Sequence, residues 1–155
     1  MARTLQHEIG KRRPFEEPAV EAYLNVARTA AALGGEVARL MREHGMTGAR
    51  YNALRILRGH GGGGVSCQTI HDEMVVPSPD VTRLVDGLES AGLAERVRVG
   101  DDRRVVTVRI TQAGLDAVAA LDGPLLDLHR GQLAHMTREE LEQLSRLLVK
   151  ARERA

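Results

Sequence analysis

A change in hydrophobic spacing at Gly92 limits the fold of this chain more than any other feature of the sequence. Up to Gly92, apolar residues recur with the period of helices that pack on one face. Residues 93–99 and 105–110 are instead short, β-branched and partly alternating, which predicts two strands. The polar segment 100–104 favours a tight turn between them, so the sequence predicts a mainly α protein with one small β-hairpin.

Helix start and stop signals divide the first half of the chain into three helices. Pro18 suits the first turn of a helix that continues to Gly45. At about 26 residues this helix is longer than a small core can cover, so we expect part of it to pack on another subunit. Thr47 is the expected cap of a second helix, and Ser66, after the glycine-rich segment 59–64, is the expected cap of a short third one.

Two helices are predicted after the hairpin. Thr111 caps the first of them, which Gly123 and Pro124 are expected to kink or interrupt. Thr137 and Glu140 are the two ends of a capping box that opens the last helix.

The helix before the hairpin has a clear start signal and two different faces. Ser78 as cap and Pro79 in the first turn predict a helix over residues 79–91. The order of helix, turn, helix and hairpin is that of a winged helix-turn-helix, in which the second helix of the pair enters the major groove. One face of this helix carries apolar residues. The opposite face and the starts of both helices supply the expected DNA-binding set: Ser66, Gln68, Ser78, Pro79, Asp80, Thr82, Arg83 and Asp86.

Arg83 has the donors to pair with guanine O6 and N7, while the hydroxyls of Ser78 and Thr82 suit bases or phosphates. The two acids are unfavourable beside phosphates. Asp80 can stabilise the helix N-terminus instead, and Asp86 can accept from cytosine or hold Arg83 in place.

The turn of the hairpin carries Arg103 and Arg104, at a position where a long cation can enter a minor groove. Asp102 can orient one guanidinium through an ion pair. A charged turn that only keeps the protein soluble is the alternative interpretation.

Residues 78–96 (SPDVTRLVDGLESAGLAER) and 102–114 (DRRVVTVRITQAG) resemble the recognition helix and wing of MarR-type transcriptional regulators. The resemblance implies a homodimer joined by its terminal helices, with one winged domain of each subunit on a pseudo-palindromic operator. It implies that Arg104, paired with Asp102, contacts the minor groove, and that Ser78, Thr82 and Arg83 read the major groove. The four-glycine loop that follows His60 departs from the family pattern.

We therefore expect three parts: a flexible basic arm over residues 1–17, a helical dimerisation region over 18–46 and 112–155, and a DNA-binding winged domain over 47–111. The first and last long helices carry apolar surface that the winged domain cannot bury alone. Dimerisation would bury that surface at about 25 cal/mol per Å². Two-fold symmetry would place the two groove helices about 34 Å apart, one turn of B-DNA.

Composition limits the classes of function. The net charge is +1 at pH 7 for 155 residues, so bulk charge does not indicate nucleic acid. Of 22 basic residues only Lys11 and Lys150 are lysine. Arginine suits phosphates and guanine, but the codons of a genome rich in G and C are the simpler explanation of this excess of arginine. The N-terminus lacks the apolar stretch of a secretion signal, and no apolar run could span a membrane. We expect a cytoplasmic protein with no membrane partner and no cofactor.

Two hypotheses concern sensing by side chains. Cys67, the single cysteine, is at the start of a helix whose dipole lowers the pKa of a thiol. A plain buried cysteine is preferred over an oxidation switch, since the peroxide-sensing branch of the resembled family has its cysteine in the first helix. Glu43, His44 and His129 could gather around zinc, but a closed site needs about four ligands, which favours ordinary histidines.

The resemblance also implies a small aromatic or phenolic anion as effector, bound between the dimer helices and the winged domain. Tyr23, Arg28, Tyr51 and Arg55 are of suitable types on suitable helices, although core packing and surface charge explain them equally well. The predicted function is a dimeric repressor that such a ligand releases from its operator.

Other functions have less support. The segment GGGGVS lacks the Gly-Lys-Ser/Thr ending of a phosphate-binding loop, and no catalytic arrangement has a plausible spacing, so an enzyme is not expected. A winged helix that binds protein instead of DNA, or one that responds to thiol oxidation or zinc, stays an alternative.

Overall fold

The structure, a computed structural model, describes residues 4–98 and 106–153. Its helices and strands follow one another in the order α1 (Leu5–Glu8), α2 (Pro18–Glu43), α3 (Gly48–His60), α4 (Cys67–Glu73), α5 (Val81–Ser90), β1 (Ala94–Arg98), β2 (Val106–Ile110), α6 (Gln112–Gln132) and α7 (Arg138–Arg152). A 3₁₀ turn, Gly61–Gly63, follows α3. The predicted mainly α fold with one hairpin is confirmed.

The predicted helix caps account for most helix starts. In each of four helices a hydroxyl accepts a hydrogen bond from the backbone N–H three residues later, which satisfies a group that the helix itself cannot pair. These caps are Thr47, Ser66, Thr111 and Thr137. Glu140 completes the capping box by accepting from the backbone N–H of Thr137 at 2.8 Å.

The hairpin is antiparallel, with Ala94 opposite Ile110 and Arg98 opposite Val106. Its second strand is also bonded to the segment before α4, because Val65 and Val108 exchange two backbone hydrogen bonds of 3.0 and 2.7 Å. The hairpin is therefore attached to the helical part of the chain along β2 as well as at its base.

One hydrophobic core unites the helices and the hairpin. Its largest fully buried side chains come from five helices and one strand: Met41, Leu54, Leu57, Ile70, Val85, Leu88, Val108, Val118 and Leu121. The end of α2 and the first half of α6 thus share a core with the segment 47–111. Of the expected dimerisation region, the end of 18–46 and the start of 112–155 therefore lie in this core.

Helix α6 continues through Gly123 and Pro124, so of the predicted kink or interruption there, the interruption is wrong. A proline inside a helix costs about 3 kcal/mol. Leu121 is fully buried on one side of Pro124, and Leu125 packs against the core on the other. Since full burial of one leucine contributes about 1.5–3 kcal/mol, the contacts of these two leucines offset much of the cost of the proline.

The N-terminal segment is more ordered than its composition predicts. Residues 5–8 form α1, Leu5 is buried, and Glu8 pairs with Arg28 of α2 at 2.7 Å. The ammonium of Lys11 lies 5.0 Å from the centre of the Phe15 ring. The prediction of a flexible arm is wrong for this segment because Leu5 and Glu8 attach it to the protein; residues 1–3 lie outside the described part of the chain.

Helices α2 and α7 each leave several large apolar side chains exposed. Tyr23 near the start of α2 is 71% exposed, and α7 buries none of its residues. The other large apolar side chains left exposed on these two helices are Val20, Val26, Leu144, Leu147 and Val149. No helix in the described ranges is both long enough and apolar enough to cross a membrane.

Candidate nucleic-acid interface

Helix α5 begins later than the sequence predicts, and a different residue caps it. The carboxylate of Asp80 accepts from the backbone N–H of Arg83 at 2.8 Å, and the helix starts at Val81. The predicted cap at Ser78 and start at Pro79 are therefore wrong. A carboxylate is a stronger cap than a hydroxyl here because its charge also interacts favourably with the positive end of the helix dipole.

The two faces of α5 are divided as the sequence predicts. Val85 and Leu88 are completely buried, and Val81 is 7% exposed. The opposite face is open to solvent and carries Thr82, Arg83 and Asp86 of the expected DNA-binding set, followed by Ser90. Because the apolar stripe is buried, the polar side chains on the opposite face are exposed to solvent along the whole helix.

The expected contacts on α4 are engaged in local hydrogen bonds. Ser66 Oγ accepts from the backbone N–H of Thr69 at 3.0 Å as the helix cap. The side-chain amide of Gln68 donates to Asp72 at 2.8 Å. Both residues are exposed at the start of α4, which packs against α5.

Arg96 of β1 is the main participant that sequence reasoning missed. Its guanidinium lies 2.6 Å from the carboxylate of Asp86 and 2.6 Å from that of Glu89, both on α5. Its backbone N–H also donates to Glu89 at 3.0 Å. We call these three residues the Arg96 clasp.

The clasp changes the expected role of Asp86, which holds the strand residue Arg96 rather than Arg83. The only signal in the sequence is a pair of acids one helical turn apart, with an arginine in the strand that follows. The direction in which that strand leaves the helix decides the contact, and spacing along the chain does not give that direction.

The clasp favours its charged form. The backbone N–H and guanidinium of Arg96 lower the pKa of the Glu89 carboxyl below its usual value. Burial disfavours the charge on Arg96, but hydrogen bonds to Asp86 and Glu89 outweigh it and raise the pKa of Arg96. With one cation and two anions, the clasp carries one net negative charge beside the polar face of α5.

The predicted tip of the wing falls between the two described strands. β1 ends at Arg98 and β2 begins at Val106. Asp102, Arg103 and Arg104 lie outside the described residues, and their assignment stays a prediction.

A cavity of about 540 Å³ lies between α3 and the segment that leads into α5. Its walls are mainly apolar, and Asn52 ties them together by accepting from the backbone N–H of Val75 at 2.8 Å. The residues that line it are Gly48, Ala49, Asn52, Arg55 and those at positions 74–79. A smaller cavity of about 390 Å³ shares Asn52, Arg55 and Val75 with it and adds the pair His60–Glu73.

Of the four expected effector residues, only Arg55 lines this cavity. Tyr23 is exposed on the part of α2 that extends beyond the core, and Arg28 pairs with Glu8. Tyr51 is a core residue whose pKa is raised by burial and by the nearby charge of Asp122. The four residues therefore do not line this cavity together, and their grouping into one pocket of the dimer stays a prediction.

The hypotheses on side-chain sensing receive no geometric support. Cys67 is half-buried and packs against the core. His44 uses its Nδ1 atom locally, 3.0 Å from the carbonyl oxygen of Leu40. Across residues 4–98 and 106–153, Glu43, His44 and His129 are not gathered into a group of three or more metal-binding side chains.

Comparisons with known proteins identify the family. A family model described as MarR family matches residues 44–105. The solved structure of a MarR transcription factor from Planctomyces limnophilus is 35% identical, covers 87% of this chain and 98% of its own, and superposes with a TM-score of 0.67. The chain belongs to the MarR family. The resemblance seen in residues 78–96 and 102–114 is thus confirmed.

Two further relatives are more distant. The HTH-type transcriptional repressor IacR of Pseudomonas putida is 24% identical over 110 residues, which is 71% of this chain but 65%, less than two thirds, of that relative. The organohalide-sensing regulator RdhR-CbdbA1625, in its 2,4-dichlorophenol-bound form, is 20% identical. It covers 92% of this chain and 86% of its own, with a TM-score of 0.79, so it has the same fold as this MarR protein.

Replacement of the observed cap tests the start of the recognition helix. We expect Asp80→Ala to lower the free energy of unfolding by about 1 kcal/mol, because the backbone N–H of Arg83 loses its partner. Ser78→Ala is the matched control and should change it by less than about 0.5 kcal/mol. Urea unfolding followed by circular dichroism measures both, and a larger loss in Ser78→Ala than in Asp80→Ala would restore the cap expected from sequence.

Proposed function

We propose that this MarR-family protein is a dimeric, sequence-specific DNA-binding transcriptional repressor. The observation that carries the proposal is the solvent-exposed polar face of α5, which is followed directly by the hairpin. A helix that presents short polar side chains on one face, while the opposite face is fixed in a core, can approach base edges in a major groove. The repressor named among its relatives supports the same role.

On α5, Arg83 pairs with guanine O6 and N7, while Thr82 and the preceding Ser78 and Pro79 contact bases or phosphates. Ser66 and Gln68 at the start of α4 face the adjacent backbone. The acids that made this surface look unfavourable are already engaged, since Asp80 caps the helix and Asp86 pairs with Arg96. Their engagement weakens the alternative of a protein-binding module with an acidic recognition face.

The wing supplies the second set of contacts. Arg103 and Arg104 enter the flanking minor groove, with Asp102 orienting a guanidinium. These contacts add affinity that depends weakly on the sequence at the centre of the operator.

Two arginine variants separate the two kinds of contact. Arg83→Ala should relax the preference at one base pair at a cost of about 1–3 kcal/mol. Arg104→Ala should weaken binding to all duplexes alike and flatten the salt dependence. Gel retardation with duplexes selected from a random pool measures both, with Arg138→Ala on α7 as the control. Wild-type retardation in both variants would show that these elements do not bind DNA.

The exposed apolar side chains of α2 and α7 support the dimer. One chain leaves Tyr23 and Leu147 exposed by 71% and 55%. A second copy that covers these helices, within 18–46 and 112–155, would remove their apolar area from water at about 25 cal/mol per Å². The dimer would set the two α5 helices about 34 Å apart.

A charge on α7 tests this association. Leu147→Glu should shift the protein from dimer to monomer, because the carboxylate would be buried without a partner in the interface. Sedimentation velocity at micromolar concentration measures the change, with the exposed neighbour Arg146→Glu as the control for added negative charge. A wild-type protein that sediments as a monomer would refute the dimer.

The cavity below the start of α5 is the proposed effector site. A phenolic anion would place its ring against the apolar wall and its oxygen toward Arg55, which lines both adjoining cavities. Pro77, Ser78 and Pro79 form the wall nearest α5, so a ligand there acts on the segment that holds the helix cap. The dichlorophenol-bound relative supports this class of ligand, which would release the repressor from its operator.

Titration with 2,4-dichlorophenol tests the site. In the wild type we expect the melting temperature to rise and the affinity for DNA to fall, since a ligand at 100 times its Kd stabilises by about 2.7 kcal/mol. Arg55→Ala should lose both responses, whereas Arg42→Ala, an exposed arginine elsewhere, should keep them. If neither quantity changes in the wild type with this phenol or with salicylate, the proposed effector class is wrong.

A further inference from the structure

The Arg96 clasp connects the recognition helix to the wing by side chains. We propose that Arg96 is a positioning residue that fixes the angle between α5 and the hairpin, so that contacts in the two grooves are made as one unit. This inference rests on the proposed DNA binding. It concerns an arginine that points toward protein carboxylates and is separate from the arginines expected to touch DNA.

The hairpin joins α5 through a tight turn at Gly92. Gly92 adopts a φ of +70°, and the chain reverses there between α5 and β1. Backbone hydrogen bonds secure the base, from Leu93 N–H to the carbonyl of Leu88 at 2.9 Å and from Thr111 N–H to the carbonyl of Leu93 at 3.1 Å. These bonds lie close together at the base, so they do not by themselves fix the direction in which the hairpin leaves α5.

The clasp supplies a second point of attachment along β1. Arg96 lies four residues beyond Gly92, and its guanidinium reaches Glu89 in the last turn of α5 and Asp86 one turn earlier. The Nη2 atom of Arg96, which contacts Asp86, also lies 3.5 Å from the carbonyl oxygen of Thr82. The guanidinium therefore spans two turns of α5, whereas the Val65–Val108 bridge attaches the other strand to a different part of the fold.

The partial burial of Arg96 distinguishes the clasp from an ordinary surface ion pair, while the side chains of Asp86 and Glu89 are 58% and 40% exposed. The Arg96 side chain is 26% exposed, compared with 87% for Arg138 in its pair with Glu142 on α7. Exposed pairs are screened and mobile, but a guanidinium held by two carboxylates has one arrangement.

A double-variant cycle tests the positioning role. If Arg96 acts by placing the wing, Arg96→Ala and Arg104→Ala should each weaken operator binding about tenfold, and the double variant should again be about tenfold weaker than wild type, because the same contact is lost. If Arg96 is an independent phosphate contact, the losses multiply to about a hundredfold, and the inference is overturned.

A conservative variant separates geometry from charge. Arg96→Lys keeps the positive charge but cannot contact two carboxylates with a planar fork. In a hydroxyl-radical footprint of the operator, we expect this variant to leave the flanking minor groove unprotected. Its α5 should keep the preference for its half-site. Arg138→Lys is the control and should give the wild-type footprint. Full wild-type protection in Arg96→Lys would contradict the positioning role.

Asp86→Asn provides a test in which the arginine is retained. If only repulsion of phosphates matters, this variant should bind DNA more tightly than wild type; if the clasp positions the wing, it should bind more weakly and lose the flanking protection. Circular dichroism of each variant checks that it is folded.

Failure of the wild type to bind any duplex from the pool would refute the proposed function instead. This outcome separates the proposed DNA binding from the positioning role of Arg96.

Discussion

The shared core is the constraint on which the rest of this structure depends. Val85 and Leu88 of α5, Leu54 and Leu57 of α3, and Leu121 of α6 are buried in one cluster. Because side chains on a helix face in fixed directions, burial of one stripe of α5 determines which residues remain in solvent. The polar face that we propose to read DNA is thus a consequence of hydrophobic packing on the opposite side of the same helix.

The acids of the recognition helix acquire their roles from their neighbours. In isolation Asp80 and Asp86 look unfavourable for a surface that meets phosphates. In the folded protein Asp80 caps the helix and Asp86 neutralises Arg96, so both charges already have partners. The same residues that argue against DNA binding when read one by one therefore help to build the surface, and the family assignment agrees with that interpretation.

Much of the fold could be predicted because its signals are local. The caps Thr47, Ser66 and Thr111 and the end of α5 near Gly92 each depend on a few neighbouring residues. Predictions failed where distant contacts compete with local preference. Pro124 is tolerated inside α6 because flanking leucines pack on the core, and residues 5–8 are ordered by contacts with a helix that lies further along the chain.

The sequence by itself determined the order of helices and hairpin, the buried face of α5 and the family, because periodicity and capping are short-range properties of the chain. Only the tertiary structure decided that Arg96 meets Asp86 and Glu89, that Arg55 lines a cavity beside α5 while Tyr51 does not, and which apolar faces one chain leaves uncovered. The physical reason is that these contacts join separate elements, whose relative orientation is set by the packing of the whole core and not by the spacing of residues within any one element.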